Sequence, residues 1–422
     1  MPVEVRPADA SEKAMRRPAT RRRAGGATPR TARTVVAPRA AWRAMTAPAL
    51  RRLAAMPRAG GEVVTVYVSL GPGGFALPAA RETAIQSAVD EARAAGRARR
   101  GSLDHEAREA VESDLERVHQ YLAAHVLPDG PRSLMLIASA PRGLFLPFTL
   151  AYEVETQGHA GPAPHLRPLF ELPGPPDFAV LALDRRWARL YLSRGGRPLA
   201  EAGVIESETR GHREQSGARQ ARVQRAVDHD TDQHAQLAAA LVLAAHRAHH
   251  LGALVVACGE EIYPVVHRRL HPYVLPLLLG RIPWDPEQDD LRRLASEASG
   301  LLRQRDAAHE EAILDTLAQE IRQGKGALGL AAVLDGLNER RAETLILEHG
   351  IEASGALCPG CEYLTIVGES CPACGTSMVG GVDLVEEMVR AALSQAAEVR
   401  FLRYVTRERG EPPHVAATFR PA

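Results

Sequence analysis

The chain has 422 residues, of which 45% are hydrophobic, 24% charged and 4% aromatic. This is the composition of a globular protein with room for about two to four domains, and it contains no apolar run of roughly eighteen residues that would predict a membrane span. The net charge of +1 is unevenly spread, because residues 1–58 carry 14 Lys and Arg against 3 Asp and Glu, whereas the rest carries 38 against 48. These numbers exclude a uniformly basic nucleic-acid binder and leave only local patches to contact phosphate.

The first 45 residues are rich in Arg, Ala, Pro and Thr and show no periodicity. That composition predicts a disordered basic extension over residues 1–45. Three interpretations of the extension stay open: a tail that contacts RNA, an organelle transit peptide, and a segment that has no function or lies upstream of the true start codon.

The sequence that follows is patterned and predicts three α/β domains. An N-terminal α/β domain over residues 46–155 is expected to combine a short helix, alternating strands and a helical region. Residues 156–284 predict a middle α/β domain that opens with a proline-rich loop and contains a strand pair, a polar loop, a long helix and a buried strand. Residues 285–422 predict a C-terminal α/β domain with a long charged helix, a break at Gly324-Lys325-Gly326 and a final strand at 398–404.

Four of the five cysteines form two CxxC pairs close together, Cys358 with Cys361 and Cys371 with Cys374. Each CxxC turn directs two thiolates at one point, so the two pairs together predict a tetrahedral zinc site. Four sulfur ligands leave no position for water, and Zn2+ is therefore expected to be structural and to stabilise an insertion too small for its own core. An iron–sulfur cluster and four reduced core cysteines are the alternatives. The pattern also fits a reducing, cytoplasmic setting.

A second candidate group of ligands lies on the predicted long helix. Asp230 and His234 have the i,i+4 spacing of a helical metal site, but no third strong ligand accompanies them. A charged, solvated helix face is the simpler interpretation.

Five arginines cluster around the start of that helix: Arg210, Arg213, Arg219, Arg222 and Arg225. The last three recur every three residues, and Glu214 is the one acidic residue among them. In a chain whose remainder is net negative, this cluster is a candidate contact for RNA phosphate. A solvated helix face with ordinary ion pairs is the alternative.

The same segment resembles a known family. Gln215-Ser216, followed by the three helical arginines, is similar to the Gly-Gly-Gln-Ser loop and following helix of the archaeo-eukaryotic class-one peptide chain release factors. The strand pair at 178–193 resembles the opening of that family's middle domain. The charged helix, the Gly324-Lys325-Gly326 break, the stretch GLAAVLDGLNERRAETLIL and the cysteine insertion resemble its C-terminal domain. The resemblance spans residues 47–405 and is closest to the bacterial, Pelota-like branch of the superfamily.

In that family the loop reaches the ribosomal peptidyl-transferase centre, where its glutamine places water on the ester between peptide and tRNA. The resemblance therefore implies that Gln215 is the catalytic residue of a peptidyl-tRNA hydrolase and that the five arginines contact RNA. It implies the ribosome, with its rRNA and P-site tRNA, as partner and a translational GTPase as a further candidate partner. A monomer in the cytoplasm without membrane contact is also expected.

The sequence departs from the family pattern at two points. Arg213 and Glu214 replace the two glycines of the loop, although glycine reaches backbone angles that other residues resist. Residues 47–155 lack the family's Asn-Ile-Lys-Ser motif for stop codons and contain no lysine. Stop-codon reading is therefore not expected.

Three hypotheses follow from these observations. The first is a factor that occupies the ribosomal A site and hydrolyses peptidyl-tRNA in ribosome rescue. The second is a non-catalytic occupant of the same site, such as a hibernation factor related to Balon, which fits the loss of the glycine pair. The third is an RNA-binding stress protein that acts off the ribosome.

Overall fold

The structure, a computed structural model, describes residues 42–70, 78–98, 104–124, 131–171, 177–194, 198–206, 218–285, 290–404 and 414–421. In this part of the chain, helices and strands build three main sheets and one small ribbon. The mixed α/β class predicted from the sequence is thereby confirmed. Among the helices described, none is both long and apolar enough to cross a membrane.

The first sheet is largely antiparallel. Its strands are β1 (Arg43–Ala44), β2 (Val63–Ser69), β3 (Ser133–Ser139), β4 (Leu144–Leu150) and β5 (Gln157–Gly161). They lie in the order β1-β4-β3-β2-β5, and only β1 and β4 pair in parallel. The helices α2 (Pro78–Ala98) and α3 (His105–Ala124) cover one face, and α1 (Ala47–Ala54) packs on the other.

The second sheet is mixed and carries the middle part of the chain. Its strands are β6 (Phe178–Leu183), β7 (Trp187–Ser193), β8 (Ala200–Glu206), β9 (Ala253–Ala257) and β10 (Leu278–Ile282). In the order β10-β9-β6-β7-β8, the first three strands are parallel and the last two antiparallel. The helices α4 (Ala218–His249) and α5 (Tyr263–Arg269) pack on one face.

The third sheet and the ribbon lie in the last quarter of the chain. The sheet contains β11 (Gly326–Leu328), β17 (Val415–Phe419), β12 (Ala342–Glu348) and β16 (Glu398–Leu402), in that spatial order. The ribbon contains β14 (Leu364–Thr365), β13 (Ser354–Leu357) and β15 (Val379–Asp383), all antiparallel. The helices α7 (Leu330–Asn338) and α8 (Leu384–Ser394) pack with both.

One long helix joins the second sheet to the third. The helix α6 (Leu291–Arg322) begins after the N-cap Asp290, whose carboxylate accepts a hydrogen bond of 2.8 Å from the backbone N–H of Arg293. Its first turns bury Leu294, Ala298 and Leu302 against the second sheet. Near its end, Leu317 packs with third-sheet residues. A single helix thus contributes to two cores.

Several strands differ from the sequence-based expectation. Residues 156–176 were expected to be loop, yet β5 pairs with β2 and completes the first sheet. β1 lies within the extension predicted to be disordered, because Arg43 and Ala44 pair with β4. The edge strands β8 and β10 were not predicted, and β17 follows the strand that was expected to be the last, at 398–404. The division of the chain into domains at 155 and 284 stays a prediction.

Candidate metal centre and the loop of the middle part

The four cysteines of the two CxxC pairs converge at the end of the ribbon. Sγ of Cys358 lies 3.4 Å from Sγ of Cys374, and Sγ of Cys361 lies 3.5 Å from Sγ of Cys371. All four sulfur atoms lie within 4.8 Å of one another, and no other group of three or more His, Cys, Asp or Glu side chains in the described residues is arranged to hold a metal ion. The sequence prediction that these four thiols meet is confirmed.

The two CxxC turns have the same local geometry. In the first, the N–H of Cys358 donates to the carbonyl of Tyr363 at 2.9 Å, and the N–H of Glu362 donates to the carbonyl of Cys358 at 2.9 Å. In the second, the N–H of Cys371 donates to the carbonyl of Thr376 at 2.8 Å, and the N–H of Gly375 donates to the carbonyl of Cys371 at 2.9 Å. The two turns therefore present their sulfur atoms as a pseudo-symmetric pair.

Each turn needs a left-handed residue directly after its second cysteine. Gly375 takes this place in the second turn with φ +74°, and Glu362 takes it in the first with φ +62°. A glutamate resists that conformation, whereas glycine does not. Arg58 Nε lies 3.5 Å from the Glu362 carboxylate, so an ion pair accompanies the strained residue.

The spacing of the four thiols fits a tetrahedral metal ion. Four sulfurs at about 2.3 Å from zinc stand about 3.8 Å apart, close to the separations found here. Hydrogen bonding with Thr376 lowers the pKa of Cys374 to about 6. The Tyr363 backbone acts to lower the pKa of Cys361, but desolvation and the neighbouring thiols outweigh it and raise that pKa to about 12. A cation bound between the four sulfurs would favour the deprotonated form of all four thiols.

The ribbon is fixed to the third sheet by side chains outside the cysteine set. The Asn338 amide, at the end of α7, donates to the Leu364 carbonyl and accepts from the Leu364 N–H, both at 2.8 Å. Asp383 caps α8 by accepting from the Val385 N–H at 2.9 Å. The metal-binding turns are therefore anchored at both ends of the ribbon.

The candidate loop residues of the middle part lie between β8 and α4. Gln215, Arg210 and Arg213 fall in residues 207–217, outside the described residues. Arg219, Arg222 and Arg225 fall in the first turns of α4, where the backbone is described and the side chains are not. The predicted long helix is therefore confirmed and begins at Ala218, whereas the roles assigned to these six residues stay predictions.

Asp230 and His234 do not form a metal site. His234 is buried, with 2% of its surface exposed, and no metal-binding group within the described residues includes it. The neighbouring Asp232 pairs with Arg269 of α5, whose Nε donates at 2.8 Å. This part of α4 thus serves packing and an ion pair.

An ionic cluster that no sequence motif predicted lies between the first and third sheets. The buried Glu386 of α8 accepts from the backbone N–H groups of Leu166 and Arg167 at 2.9 and 2.8 Å, and His165 lies beside it. A polar cleft of about 640 Å³ adjoins the cluster, lined by Arg167, Glu171 and Asp383 among others. The two segments that form the ionic cluster are about 220 residues apart in the chain, so no local sequence motif could have revealed the cluster.

Residues 164–310 of the chain match the family model "Bacterial archaeo-eukaryotic release factor family 10". The matched segment contains β6 to β10, the candidate loop and the first turns of α6. For this segment, the predicted resemblance to the bacterial branch of the archaeo-eukaryotic release-factor superfamily is thereby confirmed. None of the curated proteins compared matches the chain.

Several solved structures resemble the chain at low identity. The archaeal translation termination factor aRF1 has 14% identity and a TM-score of 0.25, over 89% of this chain and 99% of its own. Pelota from Archaeoglobus fulgidus has 13% identity and a TM-score of 0.31, over 68% of this chain and 79% of its own. Dom34 from S. cerevisiae has 10% identity and a TM-score of 0.34, over 66% and 74%. Likenesses this low define neither activity nor partners.

Proposed function

We propose that the protein is a ribosome-associated translation factor that binds the A site without reading stop codons. The observation that carries this proposal is the match of residues 164–310 to a bacterial release-factor family, because that segment includes Gln215 and the arginine cluster. We propose the ribosome, with its rRNA and P-site tRNA, as the partner. A GTPase that delivers the protein, and a monomeric state, remain predictions.

Hydrolysis of peptidyl-tRNA is the activity we propose for this site. The reaction needs an oriented water molecule and a donor aimed at the oxygen that becomes negatively charged. Gln215 would supply the orientation from its loop, and arginines at the start of α4 would contact RNA phosphates. The start of a long helix also favours nearby anions, since its free N–H groups carry partial positive charge.

The second candidate function is occupancy of the A site without hydrolysis. Arg213 and Glu214 stand where the family has two glycines, and Glu214 brings a negative charge towards anionic RNA. Both changes restrict the backbone that would place Gln215. A hibernation role fits such a loop, whereas hydrolysis requires another source of flexibility, such as Gly211 or Gly217.

We propose Zn2+ as the metal of the cysteine centre. Four thiolates and no open position are typical of structural zinc. The ribbon has few apolar residues of its own, so metal binding would stabilise it directly. Elemental analysis of the purified protein tests this choice, and one equivalent of iron with the colour of a cluster would overturn it.

The proposed activity is tested on stalled bacterial ribosomes carrying labelled peptidyl-tRNA. The natural protein and Gln215→Ala are compared for peptide release, and cosedimentation with ribosomes is measured in the same samples. Gln233→Ala is the matched control, because Gln233 is an exposed glutamine of α4 in the same part of the chain. Replacing Arg213 and Glu214 with glycine provides a third variant.

Each outcome separates the candidate functions. Release that Gln215→Ala abolishes and Gln233→Ala leaves intact supports a rescue hydrolase. Binding without release, with release appearing only after the glycine pair is restored, supports occupancy. An absence of both binding and release overturns the assignment to the ribosome.

A further inference from the structure

One arginine from the N-terminal part of the chain contacts the first cysteine turn. Arg58 lies between α1 and β2, and only 13% of its side chain is exposed. Its Nε lies 3.5 Å from Oε1 of Glu362, the residue directly after Cys361. The same guanidinium pairs with the carboxylate of Glu387 on α8, which stands 329 residues later in the chain. Arg58 thus connects the turn that carries two thiols to the helix α8.

Hydrogen bonds from two directions hold the backbone that carries Arg58. Arg142, in the turn between β3 and β4, donates to the carbonyl of Pro57 at 2.6 Å and to the carbonyl of Arg58 at 2.9 Å. Arg390 of α8 donates to the carbonyl of Met56 at 3.1 Å. Because its backbone is held on both sides, Arg58 loses little conformational freedom when its side chain reaches Glu362.

Glu362 occupies the strained position of the first cysteine turn. Gly375 fills the equivalent place in the second turn, where no side chain opposes the positive φ. The side chain of Glu362 is 59% exposed, so the core does not require it. A contact that glycine could not make therefore accompanies a backbone conformation that glycine would adopt more easily.

We propose that Arg58 is a positioning residue for the metal centre, which holds the first cysteine turn through Glu362. Metal binding and the docking of residues 56–58 on α8 then stabilise each other, because a coupling between two equilibria acts by the same factor in both directions. The alternative is that Arg58 serves only to neutralise the buried Glu387. The proposal rests on the metal proposed for the cysteine centre and is independent of any action on the ribosome.

The first test measures the rate at which the metal-loaded full chain loses metal to a coloured chelator. Glu362→Gln removes the charge of an exposed side chain and is expected to speed metal loss about two- to fivefold, the range for an exposed ion pair. Arg58→Lys keeps a positive charge for Glu387 but lacks the planar fork that reaches two carboxylates, so a similar acceleration is expected. The double variant should lose metal no faster than either single variant, because all three lack the same contact.

Limited digestion with trypsin tests the coupling from the other side. Trypsin must take up the arginine side chain, so cleavage after Arg58 requires that side chain to leave Glu362 and Glu387. Removal of metal from the natural protein is expected to speed this cleavage by about the same two- to fivefold. Arg186, exposed in the turn between β6 and β7, is the matched cleavage site and should be cut at an unchanged rate.

The control variant for metal loss is Glu369→Gln. Glu369 is also exposed and lies two residues before Cys371, so this change removes one negative charge near the metal without touching the Arg58 contact. Its rate should equal that of the natural protein. Equal rates for the natural protein, Glu362→Gln and Arg58→Lys overturn the proposal, as do additive effects in the double variant or unchanged cleavage after Arg58. A natural protein without metal overturns the proposal together with the centre, whereas failure to bind ribosomes overturns only the proposed function.

Discussion

Nδ1 of His165 lies 3.0 Å from Oε2 of Glu386, and this pair joins the segment after β5 to the helix α8. Both side chains are largely withdrawn from solvent. The Glu386 carboxylate also accepts two backbone N–H groups. The pair thus connects the segment that follows the first sheet to a helix that packs on the third sheet. It adjoins a core to which α1, β2 and α8 all contribute.

The pair predicts a stability that depends on pH in both directions. Burial would raise the pKa of Glu386, but attraction to His165 and the backbone donors lower it from 4.5 to about 2. Burial would lower the pKa of His165, but Glu386 raises it above 6.5. The contribution of Glu386 to the free energy of unfolding is present above pH 4.5 and is lost as the pH falls towards 2. The contribution of His165 is present below pH 6.5 and is lost as the pH rises through the raised pKa that His165 has in the folded state.

We therefore expect Glu386→Gln to destabilise the fold by about 3 kcal/mol at pH 5.5 and by less at pH 8. Denaturant unfolding at the two pH values measures this difference. Glu352→Gln is the control, because Glu352 is exposed on the same part of the chain. If Glu386→Gln lowers the free energy of unfolding equally at the two pH values, His165 does not take part in the stabilisation.

Removal of a buried cysteine is expected to abolish metal binding. Cys358 and Cys371 are buried, so replacing either with serine should release the metal and unfold the ribbon. Metal content by elemental analysis, before and after each substitution, measures the effect. Cys258→Ala is the control, since Cys258 lies in a separate core and should leave the metal content unchanged. A natural protein without metal would refute the centre.

The left-handed residue of the second cysteine turn predicts a difference between two glycines. A methyl group added to Gly375 or to Gly380 meets no atom within 4 Å, but only Gly375 has positive φ, at +74°. Gly375→Ala should therefore cost about 1–2 kcal/mol and speed metal loss to a chelator, whereas Gly380→Ala should not. Equal rates for the two variants would mean that backbone strain does not matter at this position.

Close packing of β5 on α2 predicts a severe effect at Gly158. A β-carbon there would lie 1.8 Å from the Ala88 carbonyl oxygen, so Gly158→Ala must separate strand from helix. We expect a loss of more than about 3 kcal/mol in the free energy of unfolding. Gly300→Ala, on the solvent-accessible helix α6, should instead stabilise by about 0.5–1 kcal/mol. Denaturant midpoints measure the two effects, and a tolerated Gly158→Ala would contradict the close packing of β5 on α2.

Charge reversal at the start of α4 is expected to weaken ribosome association. Replacing Arg219, Arg222 and Arg225 with glutamate should reduce cosedimentation and lower its dependence on salt, because each lost phosphate contact retains one more counterion on the RNA. The matched control reverses three exposed arginines of α6: Arg292, Arg303 and Arg322. If both triple variants cosediment like the natural protein, the arginine cluster has no role in binding.

Local patterns determined much of what the sequence alone could predict. The spacing of Cys358, Cys361, Cys371 and Cys374 specified their convergence, because a CxxC turn fixes its own geometry within a few residues. Periodicity located the helix at 218 and the buried strands, since alternation and helical repeats are properties of neighbouring residues. The Gln-Ser loop and the following arginines carried the resemblance to release factors in the same way.

Only the tertiary structure decided the features that join distant segments. β5 has no strong strand signal, and it is a strand because β2 offers an unpaired edge and α2 a close surface for Gly158. Glu386 is ionised in the interior because His165 and two N–H groups more than two hundred residues away meet it there. Such features depend on which surfaces meet, and short-range sequence patterns do not contain that information.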